Sequence, residues 1–325
     1  MKVFVTGGTG FIGYHLLDAM LTRNWRVKSL ARPTSNIPEE YKDQVEFVIG
    51  DLLEPESLQG LMDDVDLIIH MAGLIKATTF ASFKSVNTQG TKNILEAAES
   101  STGSDPKFIF LSSMSAAGPS KDKTAIKEDI TPQPVSWYGK SKLLAEERVK
   151  KSELDHIIIR PAAVYGPGDR ESLIFFQLAK YHIIPKIGGS KHYLSLIHVR
   201  DLVDLILKAV TNKEAYNQIY NASDNQNGYS WKKMINTAAQ SLATWTLPIY
   251  IPRFIVSLAA YISTVWGKIS RYSPMFTRDK YREMIQQYWL FSSQKAEEEL
   301  NFSPQYDLEK GFHETANWYQ EKNWL

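Results

Sequence analysis

The sequence contains no cysteine, and this absence excludes several kinds of chemistry at once. A 325-residue chain without cysteine forms no disulfide, has no thiolate nucleophile and binds no metal through sulfur. Such a composition is typical of a reducing cytoplasm, which is where we expect this protein. The seven histidines are scattered and form no metal-binding motif, so we predict no metal site.

The chain also lacks an excess of charge of one sign and a long apolar run. The formal net charge of +1 gives no global electrostatic reason to bind nucleic acid. No apolar run reaches the ~18–20 residues of a membrane span. The nearest, Phe254 to Trp266, is bounded by Arg253 and Lys268. The chain begins directly with a predicted strand, so we expect neither a signal peptide nor a transmembrane span.

Up to about Val164 the sequence alternates between short apolar runs and helical patterns. This alternation predicts an α/β protein with a doubly wound parallel sheet of the Rossmann type. In that architecture ligands bind outside the carboxyl ends of the strands. The predicted strands are Lys2–Thr6, Arg26–Ala31, Val45–Gly50, Leu67–Met71, Lys107–Ser112 and His156–Arg160. The predicted helices are Ile12–Thr22, Pro55–Met62, Phe80–Ser100 and Ser136–Lys151.

A glycine-rich turn follows the first strand and precedes the first helix. Its glycines are spaced G-x-x-G-x-x-G, which differs from the G-x-G-x-x-G of the usual dinucleotide fingerprint. Glycine permits the tight turn and lets the backbone approach a pyrophosphate, while the helix N-terminus offers free N–H groups. We therefore predict cofactor contacts from Thr6, Gly7, Gly10, Phe11, Ile12 and Gly13.

The second strand is followed by Arg32, where NAD-binding sheets usually have a carboxylate. A guanidinium can bind a 2′-phosphate bidentately, and Thr34 and Ser35 could add hydroxyl donors. The alternative is a solvated arginine in a loop. We favour NADP(H) as the cofactor, with NAD(H) still possible.

Two later strand ends supply further candidates for cofactor contact. Asp51 and Leu52 follow the third strand, where adenine would lie, although Asp51 could equally be a turn or capping residue. Ala72 and Gly73 follow the fourth strand, where small residues let the backbone pass the cofactor ribose. His70, just before them, is more typical of a packed strand residue than of an acid or base.

The fifth strand ends in Ser112-Ser113, and Tyr138 and Lys142 share one face of a later helix. Tyrosine titrates near ~10 in water, and a nearby lysine cation lowers that pKa. Tyr138 could then exchange a proton with a carbinol or carbonyl oxygen that Ser113 holds, while Lys142 also holds the cofactor ribose. The alternative is a helix whose tyrosine packs and whose lysine is solvated.

Together with the segment Arg160–Gly168, these motifs resemble the extended short-chain dehydrogenase/reductases, which include the epimerase/dehydratase enzymes. The resemblance covers nearly the whole chain. It implies that Ser113, Tyr138 and Lys142 form the catalytic triad, with Ser112 as the alternative serine. Ser112, Tyr138 and Lys142 are also expected to contact the cofactor.

The resemblance also implies roles for three residues that the patterns alone do not define. Asn87 is similar to the family's asparagine near the active site, although a surface position is the alternative. Pro161 would lie near the carboxamide of the nicotinamide, and Val164 would also contact the cofactor.

The family's architecture implies a division of this chain. Residues 1–165 would form the NAD(P)-binding domain, to which the chain returns around 192–222, and 166–325 would form mainly a smaller substrate lobe. The lobe is less periodic: we predict a helix at Leu173–Tyr181, a loop at Pro185–Ser190, a helix opened by Leu196–Leu202 and a strand at Ile219–Ala222. The helices Phe80–Ser100 and Ser136–Lys151 could pair with a second copy, giving a homodimer.

Two departures from the nucleotide-sugar enzymes bear on the substrate. At the aligned position those enzymes have a segment similar to Arg-Asp-Tyr, whereas this chain has Leu194-Ser195-Leu196. A diphosphate substrate needs cations, and this segment contains none. Lys186 or Lys191 could substitute.

The second departure is Leu247 to Trp266, which is rich in bulky apolar residues. It could be an ordinary buried helix, the wall of an apolar cleft, or an amphipathic surface that touches a membrane. Both departures resemble the branch of dihydroflavonol 4-reductases and 3β-hydroxysteroid dehydrogenases.

Three functions follow as hypotheses. The first is an NADP(H)-dependent oxidoreductase that interconverts a carbonyl and a secondary alcohol on an apolar substrate. The second is a nucleotide-sugar epimerase or dehydratase with tightly bound NAD. The third is a non-catalytic cofactor-binding protein, which the presence of all three triad residues disfavours.

Overall fold

The computed structural model describes residues 1–187, 191–270 and 277–325, with the backbone alone at 267–270. The strands are β1 (Lys2–Thr6), β2 (Arg26–Ala31), β3 (Glu46–Ile49), β4 (Leu67–His70), β5 (Lys107–Leu111), β6 (His156–Pro161), β7 (Ala163–Tyr165), β8 (Ile183–Ile187), β9 (Tyr193–Leu194), β10 (Leu196–His198), β11 (Gln218–Ala222), β12 (Tyr229–Ser230), β13 (Leu247–Ile251) and β14 (Tyr288–Trp289). The α-helices are α1 (Phe11–Leu21), α2 (Phe80–Phe83), α3 (Gly90–Glu99), α4 (Met114–Ala117), α5 (Trp137–Val149), α6 (Leu173–Lys180), α7 (Val199–Thr211), α8 (Trp231–Ser241), α9 (Arg253–Ser270), α10 (Arg278–Met284), α11 (Gln294–Leu300) and α12 (Leu308–Glu321).

Seven of these strands form one parallel sheet in the order β11-β6-β5-β4-β1-β2-β3. Its central strands are almost entirely apolar and every residue of β6 is buried, as expected when helices cover both faces of a sheet. The predicted α/β fold is confirmed, and the six predicted strands agree with β1 to β6 to within a residue or two.

Helices cover the two faces of the sheet in two separate apolar cores. Ile69 of β4 faces the core formed with α1, α7 and α11, and the adjacent Ile68 faces the core formed with α3 and α5. This alternation follows from the two-residue period of a strand. A third core joins α6, α8 and α12, where Phe176, Met234 and Phe312 pack together.

Some predicted boundaries are wrong. The predicted helix Pro55–Met62 is a 3₁₀ helix that ends at Leu58. The segment predicted to open a helix at Leu196 begins with β10, and α7 starts only at Val199. The predicted loop at Pro185–Ser190 begins inside β8, and 188–190 lie outside the described residues.

The predicted helix Phe80–Ser100 is helical throughout but not uniformly α-helical. Between α2 and α3 lies a π-helix at Lys84–Gln89. A π-helical insertion is costly, and such insertions are frequent at functional sites. Asn87 lies in this π-helix and is buried, so the alternative of a surface position is wrong.

The apolar stretch Leu247–Trp266 forms β13 and α9, and its large side chains are mostly exposed. It is therefore not a buried helix. β13 pairs with β8, and α9 packs against α10. Within the described ranges, no helix combines the length and apolar character needed to cross a bilayer.

Candidate active site

The candidate site lies at the carboxyl edge of the large sheet, where the turns after several strands meet. Because β1 and β4 are parallel neighbours, the glycine turn and the residues after His70 lie side by side. A Cβ placed on Gly7 would come within 2.8 Å of the backbone nitrogen of Ala72. Gly7 also has a φ of +82°, which favours glycine.

The glycine turn leads directly into the N-terminus of α1. A Cβ on Gly13 would lie 2.2 Å from the carbonyl oxygen of Gly7, so the tight approach of helix to turn requires glycine there. Gly10 is the N-cap residue and provides no side-chain cap, so the first turn, which includes Phe11 and Ile12, offers its N–H groups to a ligand. This cradle fits the pyrophosphate of a dinucleotide.

The Thr6 side chain is occupied within the protein. Its hydroxyl accepts a hydrogen bond from the N–H of Ala72 at 3.2 Å and contacts Nδ1 of His70 at 2.6 Å. The other ring nitrogen of His70 lies 2.9 Å from the hydroxyl of Thr91. His70 is thus the packed strand histidine predicted, and it joins β1 and β4 to the helix that carries Asn87.

Arg32 follows β2 and is exposed at the same sheet edge. Its backbone N–H donates to the hydroxyl of Ser35 at 3.0 Å, and the N–H of Ser35 donates back to the carbonyl of Arg32 at 2.9 Å. This turn fixes the backbone while leaving the guanidinium at the surface. Thr34 is exposed beside it.

The turn after β3 contains Asp51 and Leu52. Oδ1 of Asp51 accepts a hydrogen bond from the N–H of Leu53 at 2.9 Å, so Asp51 has the turn role given as its alternative. Its side chain is still half-exposed and retains acceptor capacity for a ligand. Leu52 is buried and its carbonyl accepts from Asn93 at 2.7 Å.

The Asn87 amide bridges the turn after β4 to the helix that carries Tyr138. Its oxygen accepts from the N–H of Leu74 at 2.6 Å, and its nitrogen donates to the carbonyl of Leu74 and to the Ser141 hydroxyl. A Cβ on Gly73 would lie 3.1 Å from the Asn87 oxygen and 3.9 Å from Nζ of Lys142.

Tyr138 and Ser113 lie within hydrogen-bonding reach of each other. Burial raises the pKa of Tyr138 to about 12, and the Ser113 side chain opposes this shift. Ser113 caps the short helix α4, accepting from the N–H of Ser115 at 3.1 Å, so its own hydrogen is available to donate. Tyr138 stands in the first turn of α5.

Ser112 faces the other way. Its hydroxyl donates to Oε1 of Glu146 at 2.6 Å, and Arg160 binds both oxygens of that carboxylate at 2.8 and 2.6 Å. All three side chains are buried. Of the two serines, Ser113 is therefore the one beside Tyr138, and Ser112 belongs to a buried ionic cluster beneath the site.

Lys142 is buried four residues after Tyr138 on α5. Its Nζ donates to the carbonyl oxygen of Leu111 at 2.7 Å and lies 4.2 Å from the centre of the Phe110 ring. Burial lowers the pKa of Lys142 to about 7, and the carboxylate of Glu146 opposes this shift. The alternative of a solvated lysine is therefore wrong.

Three acidic residues of the site were missed at the sequence level. The negative charge of Glu146 favours the protonated form of Lys142. Asp279 on α10 accepts from the N–H groups of Trp137 and Tyr138, and Glu283 accepts from the hydroxyl of Ser136 at 2.7 Å. The spacing of Glu146, four residues after Lys142, could have indicated it; the sequence has no comparable signal for α10.

A cavity of about 780 Å³ lies next to the segment that follows Ser113. Met114 and Ser115, which follow Ser113, form part of its wall, and Val164 lines it beyond Pro161, the last residue of β6. Most of the lining is apolar or aromatic: Met114, Ala163, Val164, Tyr165, Leu173, Ile174, Phe175, Leu178, Tyr193, Leu194, Leu196, Trp231, Met284, Trp289 and Trp324.

The two lysines named as possible substitutes for the missing cations do not line the described part of the cavity. Leu194 and Leu196 both line it, whereas Lys186 and Lys191 are absent from the described residues of its wall. Two other cations do line it. Lys280 lies 3.5 Å from a carboxylate oxygen of Glu283, and Arg170 stacks on Trp324 at 4.9 Å. No described residue of β13 or α9 contributes to the wall, so the expectation that this stretch forms the cleft is not met.

Comparison with known proteins agrees with this geometry. The model of the NAD dependent epimerase/dehydratase family matches residues 3–223. The chain is 30% identical to a ceramide reductase from Caulobacter vibrioides, over 99% of this chain and 96% of that protein. It is 27% identical to a UDP-glucose 4-epimerase from Vibrio cholerae, with the same coverage of each protein. The solved structure of a dTDP-glucose 4,6-dehydratase from Bacillus anthracis in complex with NAD matches with a TM-score of 0.78 at 20% identity, covering 99% of this chain and 97% of that one.

Proposed function

This chain belongs to the NAD dependent epimerase/dehydratase family, and we propose that it is an NADP(H)-dependent reductase that converts a carbonyl to a secondary alcohol on an apolar, lipid-like substrate. The family match confirms the resemblance to extended short-chain dehydrogenase/reductases. The chain is therefore an enzyme of this family. The observation that carries the proposal is the assembly of Ser113, Tyr138 and Lys142 beside a largely apolar cavity.

The protonation state of Tyr138 is compatible with its use as an acid in a reduction. Because burial raises the pKa of Tyr138 to about 12, the phenol holds its proton at neutral pH and can donate it to a carbonyl oxygen that is being reduced. Ser113 donates to the same oxygen. The hydride comes from the nicotinamide dinucleotide when that cofactor is bound.

Lys142 stabilises the phenolate that remains after Tyr138 gives up its proton. The lysine is held by the carbonyl of Leu111, and the negative charge of Glu146 favours its protonated form. Its position close to Gly73 also suits contact with the cofactor ribose. In this proposal Asn87 is a positioning residue, because its amide is already used to join Leu74 to Ser141.

The preference for NADP(H) rests on Arg32. Its exposed position after β2, beside the Ser35 turn, suits contact with a 2′-phosphate. No carboxylate stands at that position to bind ribose hydroxyls, which is the usual arrangement for NAD.

The substrate class rests on the wall of the cavity and on the similarity to a ceramide reductase. Leucines occupy the positions where nucleotide-sugar enzymes are expected to have polar residues. An apolar wall favours an acyl chain or ring over a charged sugar nucleotide, because it offers a diphosphate few partners.

A nucleotide-sugar epimerase or dehydratase is the second candidate. Two observations favour it: the 27% identity to a UDP-glucose 4-epimerase along the whole chain, and the presence of Arg170 and Lys280 in the cavity. Such an enzyme would retain NAD through purification and would show no net consumption of NADPH.

The test is a reductase screen with NADPH over keto-lipids of the ceramide and sterol types, small ketones and common sugar nucleotides. We expect oxidation of NADPH with a keto-lipid and a loss of about 10²-fold or more in Tyr138→Phe. Activity with sugar nucleotides alone would support the second candidate, and near-normal turnover in Tyr138→Phe would remove Tyr138 from the proposed role.

A further inference from the structure

Helix α9 exposes its large apolar side chains and buries its small ones, which is the reverse of an ordinary surface helix. A surface helix usually buries its apolar stripe and exposes polar residues. Here Phe254, Leu258, Ile262 and Trp266 stand at four-residue spacing on one face, and all are exposed, Phe254 at 71% and Trp266 at 67%. The buried side contains small residues, of which Thr264 bonds the N–H of Arg278 on α10.

The apolar surface extends beyond α9 onto the preceding strand. Leu247, Ile249 and Tyr250 of β13 are exposed, as is Trp245 just before it. Isolated exposed apolar residues are common, but a contiguous set of this kind marks an interaction surface. We call β13 and α9 together the apolar flap of the protein.

The stretch of sequence that forms the apolar flap, with the residues on either side of it, carries charge of one sign. Between Asp224 and Asp279 the sequence contains no acidic residue and six basic ones, namely Lys232, Lys233, Arg253, Lys268, Arg271 and Arg278. Arg253 begins α9, and Lys186 lies opposite Tyr250 on the neighbouring strand. The Arg278 guanidinium lies 5.7 Å from the centre of the Tyr261 ring.

The apolar flap is connected to both sides of the substrate cavity. β13 pairs with β8, which follows the cavity-lining helix α6. α9 packs on α10, whose Lys280, Glu283 and Met284 line the same cavity. A partner bound to the apolar flap would therefore lie beside the elements that enclose the substrate.

We propose that the apolar flap docks on the surface of a lipid bilayer that contains anionic lipids. Apolar and aromatic side chains enter the boundary between headgroups and acyl chains, while the surrounding basic residues bind anionic headgroups. A second copy of this chain is a poorer occupant, because a two-fold contact would bring basic residues of the apolar flap, such as Arg253 at the start of α9, towards the same residues of the other copy. This proposal stands on the exposed surface and not on the identity of the carbonyl substrate.

The test is vesicle sedimentation of the full chain without cofactor or substrate, so that the result does not depend on the proposed reductase activity. Vesicles of phosphatidylcholine are compared with vesicles of an equal mixture of phosphatidylcholine and phosphatidylglycerol. Ile262→Glu alters the apolar flap, and Ile49→Glu is the matched control, because both isoleucines are 58% exposed and the charge change is the same. Leu258→Glu provides a second alteration of the same face.

We expect the wild type and Ile49→Glu to bind mixed vesicles alike and to bind phosphatidylcholine alone more weakly. Ile262→Glu and Leu258→Glu should bind mixed vesicles at least about tenfold more weakly, with unchanged thermal unfolding. Absence of wild-type binding, or equal binding by Ile262→Glu and Ile49→Glu, would overturn the proposal. A wild-type dimer that Ile262→Glu dissociates, without vesicle binding, would show that a second copy covers this face instead.

Discussion

The carboxylate of Asp279 accepts a hydrogen bond from the backbone N–H of Tyr138 at 3.2 Å. Its other oxygen accepts from the N–H of Trp137 at 2.7 Å, so one buried side chain binds two free donors at the N-terminus of α5. The contact joins α10, near the end of the chain, to the first turn of the helix that carries Tyr138 and Lys142. Helix α10 thereby fixes where α5 begins.

Removing this contact should disturb the position of Tyr138. Helix-terminal acceptors contribute ~0.5–2 kcal/mol, so we expect Asp279→Ala to lower the free energy of unfolding by about that amount. We also expect kcat to fall more than KM rises. The pH profile of kcat should shift, because a displaced Tyr138 side chain has different surroundings and therefore a different pKa. Asp279→Asn retains one acceptor and should recover part of both losses. If kcat changed equally in Asp279→Ala and Asp279→Asn and the pH profile of kcat did not shift, the contact would serve the stability of the fold and not the position of Tyr138.

The two adjacent serines after β5 offer a matched pair of substitutions. Ser113→Ala removes the hydroxyl beside Tyr138, and we expect kcat to fall by about 10- to 100-fold with little loss of stability. Ser112→Ala removes the donor to the buried Glu146 and should lower the free energy of unfolding by ~1.5–3 kcal/mol while kcat stays near wild type. Kinetics and chemical denaturation of both variants check this. The reverse pattern would assign the catalytic serine to Ser112.

The local parts of this fold could be predicted from the sequence because local rules determine them. β1 and β2 begin and end at the predicted residues, since each is a short apolar run bounded by a turn. The placement of Tyr138 and Lys142 on one helix was predictable because they stand one helical turn apart, and their catalytic roles with Ser113 stay a prediction. The glycine turn was predictable because its glycines stand between an apolar run that forms β1 and a helical pattern that forms α1.

What the sequence did not predict depends on contacts between distant segments. Asp279 meets Tyr138 across a separation of 141 residues in the sequence, and no periodicity relates the two. Glu146 looks like a solvated helix residue until Arg160 is seen to bind it in the interior. For α9 the pattern indicates two unlike faces, but only the tertiary structure decides which face is covered, and here it is the small-residue face.

Arg32 determines the choice of cofactor in the proposed function. A charge-assisted hydrogen bond contributes ~1.5–3 kcal/mol, so Arg32→Ala should weaken NADPH binding by roughly 10- to 150-fold. Binding of NADH should change little, because NADH has no 2′-phosphate. Titration of both cofactors by fluorescence measures the two constants. Asn36→Ala, at an exposed position in the same loop, is the control and should change the binding of either cofactor little. An equal loss for both cofactors would remove Arg32 from contact with the 2′-phosphate.

His70 should make the protein sensitive to acid. Complete burial lowers the pKa of His70 to about 3, with Lys142 adding a smaller effect in the same direction. In the unfolded chain a histidine titrates near ~6.5, so between about pH 6.5 and 3 the unfolded state binds a proton that the folded state does not.

The contribution of His70 to stability is therefore fully present above about pH 6.5 and is lost as pH falls toward 3, at up to ~1.4 kcal/mol per pH unit. His70→Gln removes the titrating group, so we expect a less stable protein at pH 7.5 whose stability declines less steeply in acid. The measurement is urea denaturation at a series of pH values. His313→Gln, at an exposed position, is the matched substitution and should run parallel to wild type. An acid slope in His70→Gln as steep as in wild type would mean that other buried groups cause the acid sensitivity.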